Sequence, residues 1–164
     1  MIRIGRRPTA LAEPGAARSE PRYTGASMST LPLGPQHTPY DVMGGEPAVR
    51  ELAERFYDAM ERTEPELTRL HACDEAGKVS RESRDRFALF LIGWLGGPQE
   101  YMARHGHPRL RMRHARVPVD GAMRDAWLRS MRIAMDELRL HPELRAYLEP
   151  RFAEVADFLR NRAG

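Results

Sequence analysis

Two histidines, His107 and His114, lie in one arginine-rich stretch, and each could offer an imidazole to a metal or to a bound molecule. Pro108 follows the first histidine, and Pro118 lies four residues beyond the second. Because proline starts helices well and ends them sharply, this spacing predicts a short helical turn from about Pro108 to His114. His114 would be the last residue of a short helix between two prolines, and this position is suitable for holding an imidazole in one orientation. His105 and His107 are expected at the surface, because no Cys or carboxylate set with zinc-like spacing accompanies them.

Further short motifs occur in a fixed order around this stretch. They are Gly44-Gly45, Arg55-Phe56-Tyr57, Gly93-Trp94-Leu95-Gly96-Gly97-Pro98, His107-Pro108-Arg109-Leu110-Arg111-Met112-Arg113-His114 and Asp125-Ala126-Trp127-Leu128. Together they resemble the group II truncated haemoglobins, the small globins of bacteria and plants, over residues 40 to about 160. The resemblance implies an all-α truncated globin fold, in which two crossed helix pairs surround haem b.

The resemblance also implies roles for five residues around the haem. His114 would be the proximal iron ligand, with its second ring nitrogen donating to a backbone carbonyl. Trp127 would face the bound gas, Tyr57 would place its hydroxyl over the iron, and Phe87 would wall the pocket. Ser83 stands where many globins carry a distal histidine. Ligand stabilisation is therefore expected to come mainly from the other donors.

Three more candidates each have two interpretations. His71 aligns with the family position that overhangs the distal pocket, although a histidine at a helix end is usually a solvated or capping residue. Arg86 and Arg113 are the candidates to pair with the two haem propionates, because the planar guanidinium suits carboxylates. A solvated helix face is the alternative for Arg86.

The elements that would position these residues are helices. After Gly44-Gly45, Pro47 suits a first helical turn. Apolar residues then recur at intervals of three and four, at Val49, Leu52, Phe56 and Met60. Thr63 could act as the N-cap of a short helix to about Leu70, as part of a capping box, and residues 72–79 have the composition of a loop.

Ser80 is the expected N-cap of a helix that runs to about Leu95 and ends at the following Gly-Gly-Pro. One face of this helix carries Ser83, Phe87, Phe90 and Trp94. Taken alone, such an aromatic stripe is more often part of a core than of a cofactor pocket.

Two long helices are predicted in the C-terminal third. Asp120 should cap the first of them, whose apolar face includes Trp127 and Met131. The second should begin near Pro142, and Pro150 should kink or divide it, because proline removes a helix hydrogen bond. No part of the sequence shows a pattern that predicts a β-strand.

The N-terminal segment differs in composition from the rest of the chain. Residues 1–39 contain six prolines and no sustained apolar period, so we predict a disordered tail that can be deleted without loss of stability. Met28 is an alternative start. Residues 40–164 would form the single globin domain.

Charge and cysteine content limit the classes of function. The net charge of +3 resides in residues 1–39, which carry five arginines and two glutamates, so the remainder is formally neutral. This distribution gives no indication of a nucleic-acid partner. The chain has one cysteine, Cys73, and no apolar run long enough to span a membrane. A reducing, cytoplasmic location is therefore the default expectation.

The resemblance predicts a haem-b protein that binds O₂ and other diatomic gases, such as NO and CO. It also allows NO detoxification or peroxidase-like chemistry, for which a separate reductase would have to supply electrons. The alternative is a non-haem helical interaction or sensor domain that has kept the globin fold and lost the cofactor.

Overall fold

The computed structural model describes residues 30–163, and all regular elements in this range are helices. The helices are α1 (Pro39–Met43), α2 (Glu46–Thr63), α3 (Pro65–Thr68), α4 (Arg81–Trp94), α5 (Glu100–His105), α6 (Leu110–His114), α7 (Gly121–Glu137) and α8 (Pro142–Phe158). Two pairs of long helices, α2 with α4 and α7 with α8, build the core, and α2 also packs extensively against α7. The predicted all-α fold is confirmed.

Helix α2 is the central element of the core. It begins after Gly45, whose φ of 75° is readily adopted by glycine, and it carries a proline in its first turn. Its predicted apolar face is almost completely buried, at Val49, Leu52, Phe56 and Met60. Because α2 contacts both α4 and α7, this face holds the two helix pairs together.

Helix α4 has two apolar faces with different surroundings. Ser80 caps it as predicted, with the hydroxyl oxygen accepting from the backbone N–H of Ser83 at 3.3 Å. The fully buried face consists of Ala88, Leu89, Leu91 and Ile92 within the helix, with Leu95 just beyond it. The aromatic stripe is only half-buried, because Phe87 and Phe90 face a cavity. Sequence periodicity alone could not separate these two faces.

The segment between α5 and α7 is short and tightly turned. Gly106 and Arg109 adopt positive φ angles of 69° and 43°, which bring the chain sharply into α6. Helix α6 is a single turn of five residues ending at His114, in agreement with the predicted element. Asp120 caps α7, and its carboxylate accepts from the backbone N–H of Met123 at 2.9 Å.

The helices differ from the prediction at one predicted N-cap, at one additional helix and at one proline. Thr63 is the last residue of α2 and not an N-cap, because its hydroxyl donates backwards to the carbonyl of Ala59 at 3.0 Å. The segment before Pro108 contains α5, which was not predicted. Of the predicted kink or division at Pro150, the division is wrong, because α8 continues through Pro150. This proline lies on the exposed face, where solvent can satisfy the carbonyl that proline leaves unpaired.

The described part of the N-terminal segment packs on the globin body. The backbone N–H of Leu31 donates to Glu143 at 2.6 Å, and Thr38 forms a capping box with Asp41 at the start of α1. The aromatic ring of Tyr40 lies so close to Gly97 that a Cβ there would be 2.6 Å from the ring. The predicted disordered tail otherwise falls on residues 1–29, outside the described range.

The helices of residues 30–163 differ from membrane-spanning helices in length or in apolar character. None of them is both long enough and apolar enough to cross a bilayer.

Candidate functional site

A cavity of about 470 Å³ opens between α2 and α4 and the elements from α6 to α8. Its volume lies within the range of roughly 300–1,000 Å³ that is typical of small-molecule and cofactor sites. Most of the wall is apolar or aromatic. The structure brings to this wall all eight residues that the sequence predicted for the site: Tyr57, His71, Ser83, Arg86, Phe87, Arg113, His114 and Trp127.

The His114 ring is held by its own helix. Its Nδ1 lies 2.8 Å from the carbonyl oxygen of Leu110, one turn earlier in α6. With the proton on Nδ1, this nitrogen donates to the carbonyl, and Nε2 keeps a free lone pair at the cavity. The sequence predicted that a backbone carbonyl would accept from the second ring nitrogen of His114, and in the structure this carbonyl is that of Leu110. A ring fixed in this way is suited to coordinate a metal through Nε2.

Tyr57 presents a buried hydroxyl to the cavity. The side chain is 5% exposed, and the hydroxyl has no protein hydrogen-bond partner among residues 30–163. Burial raises the pKa of this hydroxyl well above its ordinary value, although the nearby Arg84 guanidinium opposes the effect. Tyr57 consequently stays protonated at neutral pH and can donate to a molecule in the cavity.

His71 lies beside Tyr57, with 5.6 Å between the two ring centroids. Its Nδ1 is 3.0 Å from the carbonyl oxygen of Leu67, so this ring is anchored in the same way as that of His114. Burial lowers the pKa of His71, the hydrogen bond to Leu67 raises it, and the neighbouring His114 lowers it further. The net lowering favours a neutral imidazole at pH 7. This environment fits the pocket interpretation of His71 better than that of a solvated cap.

Trp127 is fixed by aromatic packing. Its ring centroid lies 5.1 Å from that of Phe56, 6.4 Å from that of Phe87 and 5.8 Å from that of Phe152. Within the described part of the chain, the indole N–H donates to no protein group, and the side chain lines the cavity. Because an indole nitrogen can only donate, Trp127 offers one donor on a ring that aromatic packing holds in place.

Ser83 has its hydroxyl oxygen engaged within α4. That oxygen accepts from the hydroxyl of the N-cap Ser80 at 3.0 Å, so the two serines together close the start of the helix. One turn later, Phe87 stands on the cavity wall and contacts the rings of both Phe56 and Tyr57. Because Ser83 only accepts in this bond, its own O–H stays free to donate, and the expectation that other residues supply the main donors stays a prediction.

Two of the arginines on the cavity wall match the predicted propionate partners. The Nε–H of Arg86 is buried and has no hydrogen-bond partner among residues 30–163, while its NH2 pairs with the exposed carboxylate of Glu82 at 2.6 Å. Arg113 is exposed and donates from Nε to the carbonyl of Pro108 at 2.9 Å, leaving its terminal nitrogens available. Both guanidinium groups line the cavity, so either could pair with a carboxylate-bearing ligand there.

Sequence reasoning missed Arg84, which supports the wall behind Tyr57. Its side chain is 9% exposed and pairs with Glu54, Asp58 and Glu61 at 2.7–2.9 Å. Burial acts to lower the pKa of Arg84, but these three carboxylates raise it above its ordinary value. The three acids recur on one face of α2 at intervals of four and three, and this spacing was the available signal for a buried cation opposite them.

The other histidines of the arginine-rich stretch lie outside the cavity. His107 is exposed, and its Nδ1 accepts from the backbone N–H of Arg109 at 3.1 Å. His105 is exposed and packs near Tyr101. Residues 30–163 contain no cluster of three or more His, Cys, Asp or Glu side chains suited to a metal ion. The expectation that these two histidines are surface residues is confirmed.

The walls of the cavity thus combine a large apolar surface with a few oriented polar groups. The polar residues on the wall are His114, whose imidazole is anchored through Nδ1, together with Tyr57, Trp127, Arg86 and Arg113. This donor set fits a flat apolar macrocycle that carries carboxylates, takes one axial nitrogen ligand and leaves space for a small polar molecule.

The chain is similar in sequence and in structure to known globins. Residues 38–161 match the sequence pattern of the family described as bacterial-like globin. The group 2 truncated hemoglobin YjbI of Bacillus subtilis is 32% identical over 126 residues, which cover 77% of this chain and 90% of that protein. The group II 2-on-2 hemoglobin of Agrobacterium tumefaciens aligns with a TM-score of 0.71 at 34% identity, covering 80% of this chain and 98% of that one. The truncated oxygen-avid haemoglobin of Bacillus subtilis aligns with a TM-score of 0.68 at 34% identity, covering 76% and 100%.

Proposed function

The chain belongs to the bacterial-like globin family, as a group II truncated haemoglobin, and from this premise we propose that it is a haem-b protein that binds O₂ and other diatomic gases reversibly. The observation that carries the proposal is the anchored imidazole of His114 in a cavity that also contains unpartnered donors. Haem supplies an iron centre with an exchangeable position for a diatomic ligand. Every other contribution below comes from this chain.

The proposed haem contacts follow from the chemistry of the wall. His114 would supply the axial nitrogen, since its Nδ1 is occupied by the carbonyl of Leu110 and its Nε2 is free. Arg86 and Arg113 would pair with the carboxylates, since both line the cavity and the terminal nitrogens of Arg113 are free of the bond that its Nε makes to Pro108. Phe87 and Trp127 would pack against the apolar faces of the macrocycle.

The proposed gas contacts involve the hydroxyl of Tyr57, the indole N–H of Trp127 and the imidazole of His71. All three residues line the cavity, and Tyr57 and His71 are adjacent. A polarised diatomic ligand is retained longer where donors face it, and one charge-assisted hydrogen bond contributes roughly 1.5–3 kcal/mol. Similarity to a protein described as oxygen-avid supports O₂ as the primary ligand.

Redox chemistry is a second candidate function for the same pocket. A site with several donors around a small ligand can move protons to it while N–O or O–O bonds change, which is what NO detoxification or peroxidase-like activity requires. Such turnover consumes electrons, and a separate reductase would deliver them. The observation that favours this candidate is that two side chains able to carry protons, Tyr57 and His71, lie side by side on the cavity wall, with 5.6 Å between their ring centroids.

The test is reconstitution of the full chain with haem. We expect a Soret band, close to one haem per chain, and spectra of the ferrous protein that change reversibly as O₂ is added and removed. A chain that folds but takes up no haem would refute the proposal and favour the helical interaction or sensor domain.

A further inference from the structure

A single asparagine near the C-terminus is bonded to the end of the helix that carries His114. The side-chain amide nitrogen of Asn161 donates to the carbonyl oxygens of His114 and Val117, each at 2.9 Å. Its side-chain oxygen accepts from the backbone N–H of Val119 at 3.0 Å. One side chain thus bonds to three backbone groups at the end of α6 and in the loop before α7, more than 40 residues away in sequence. The carbonyl of His114 also accepts from the backbone N–H of Val117 at 3.0 Å, so the Asn161 amide adds a link from the C-terminal segment to a turn that is already closed locally.

Backbone hydrogen bonds extend the same connection. The N–H groups of Asn161 and Arg162 both donate to the carbonyl of Val119, at 2.9 and 3.2 Å. Val117 and Val119 line the cavity, as does Leu159 just before this segment. The C-terminal segment therefore holds the loop that follows His114 against the cavity.

Helix α6 needs such support because it is so short. A helix of five residues has little stability of its own, and its last carbonyls have no partner within the helix. The bond from His114 Nδ1 to Leu110 orients the ring only relative to α6 itself. Another contact must fix α6 relative to the cavity, and the Asn161 amide bonds directly to the backbone of His114.

The chemistry of this position is specific to a side-chain amide. Asparagine has two N–H donors and one carbonyl acceptor, and all of these functions are used here on neighbouring backbone groups. Aspartate has the same shape but no donor at neutral pH. It would place a carboxylate oxygen 2.9 Å from two carbonyl oxygens.

We propose that Asn161 is a positioning residue that fixes the His114 imidazole for axial coordination by joining the end of α6 and the following loop to the C-terminal segment. The inference rests on the proposed function, because it assumes that His114 coordinates haem. Asn161 itself touches neither haem nor gas in this scheme.

The experiment compares Asn161→Asp and Asn161→Ala with Gln99→Ala in the full haem-loaded chain. Gln99 is a matched control, since its amide also donates to two backbone carbonyls, those of Gly93 and Gly97, in the turn after α4. The readouts are the rate of haem transfer to excess apomyoglobin and the iron–histidine stretching band of the ferrous protein in resonance Raman spectra. Circular dichroism monitors helix content in every variant.

We expect both Asn161 variants to lose haem about tenfold faster than the wild type, with a shifted or broadened iron–histidine band, since removal of groups that orient a metal ligand typically costs 10–100-fold in metal affinity. Gln99→Ala should leave both readouts at their wild-type values. Unchanged readouts in the Asn161 variants would overturn the inference, as would an equal change in Gln99→Ala. Loss of helix content in both Asn161 variants would also overturn it, because Asn161 would then stabilise the fold in general.

A parallel His114→Gly variant separates this inference from the proposed function. If His114→Gly retains haem like the wild type, the ligand assignment itself fails. If His114→Gly loses haem while the Asn161 variants behave like the wild type, only the positioning role fails.

Discussion

Replacement of Tyr57 by phenylalanine should leave the stability of the chain almost unchanged but shorten the time for which O₂ stays bound. The ring is 5% exposed and packs at 5.0 Å from Phe56 and 5.6 Å from Phe87, measured between ring centroids. Phenylalanine preserves this packing and removes only the hydroxyl. In the part of the chain that the structure describes, that hydroxyl bonds to no protein group, so no intramolecular hydrogen bond is lost.

The expected change in stability follows from that geometry. Burying a hydroxyl without a partner costs roughly 1–3 kcal/mol in protein mutational data. The Tyr57 hydroxyl faces a cavity that water can enter, so most of this cost is already relieved. We therefore expect the free energy of unfolding of the haem-free Tyr57→Phe chain to stay constant or to rise by up to about 1 kcal/mol.

The expected change in ligand retention has the opposite sign. A typical hydrogen bond contributes about 1 ± 0.5 kcal/mol net, so losing the Tyr57 donor should speed O₂ release roughly three- to tenfold. Urea unfolding followed by circular dichroism measures the stability, and stopped-flow displacement of O₂ by CO measures the release. Tyr101→Phe is the control, since Tyr101 is also buried and lines the same cavity, but has no assigned gas contact.

The reasoning fails if Tyr57→Phe destabilises the chain by more than 1 kcal/mol while O₂ release is unchanged. Tyr57 would then be a core residue whose hydroxyl serves the fold. Equal acceleration of release by Tyr101→Phe would show that the effect comes from general loosening of the cavity.

The remaining predictions concern other parts of the domain. Trp127→Phe should speed O₂ release about tenfold and Ser83→Ala should do so least; a faster Ser83→Ala in stopped-flow displacement would reverse the assignment of the main donor. Arg84→Met should lower the free energy of unfolding in urea by about 2–3 kcal/mol, because it leaves carboxylates beside a buried site without their cation; a loss below 0.5 kcal/mol would contradict this. Burial raises the pKa of Glu54, but its ion pairs lower it overall, so wild-type stability should decline as pH falls below about 4.5, and Arg84→Met should show a shallower decline in acid unfolding curves. Deletion of residues 1–29 should leave haem content and Tm unchanged, and a lower Tm would show that this segment packs on the domain.

Local signals in the sequence predicted most of the fold. Ser80 and Asp120 were recognised as N-caps because a short polar side chain preceded an apolar period, and both make the expected bond. Thr63 has the same kind of signal and was predicted wrongly. Its hydroxyl could bond forwards or backwards, and the continuation of α2 against its neighbours decided the direction.

The sequence predicted which residues line the cavity, but it did not predict the residues that hold them in place. The motif around His114 identified residues that do meet in one cavity, whereas Arg84 and Asn161 act through partners 23–47 residues away. No local period links such partners, so only the packed chain reveals them. For the same reason, the spacing of Phe87 and Phe90 predicted one helix face but not whether that face meets the core or a cavity.

The most direct test of the central claim is haem binding by His114→Gly, measured beside His107→Ala. His107 is an exposed imidazole in the same stretch and serves as the matched control. We predict that His114→Gly loses haem or retains it only when free imidazole is added, and that His107→Ala keeps the wild-type Soret band and haem content. A His114→Gly chain with wild-type spectra and haem retention in the absence of imidazole would show that another residue, or none, coordinates the iron.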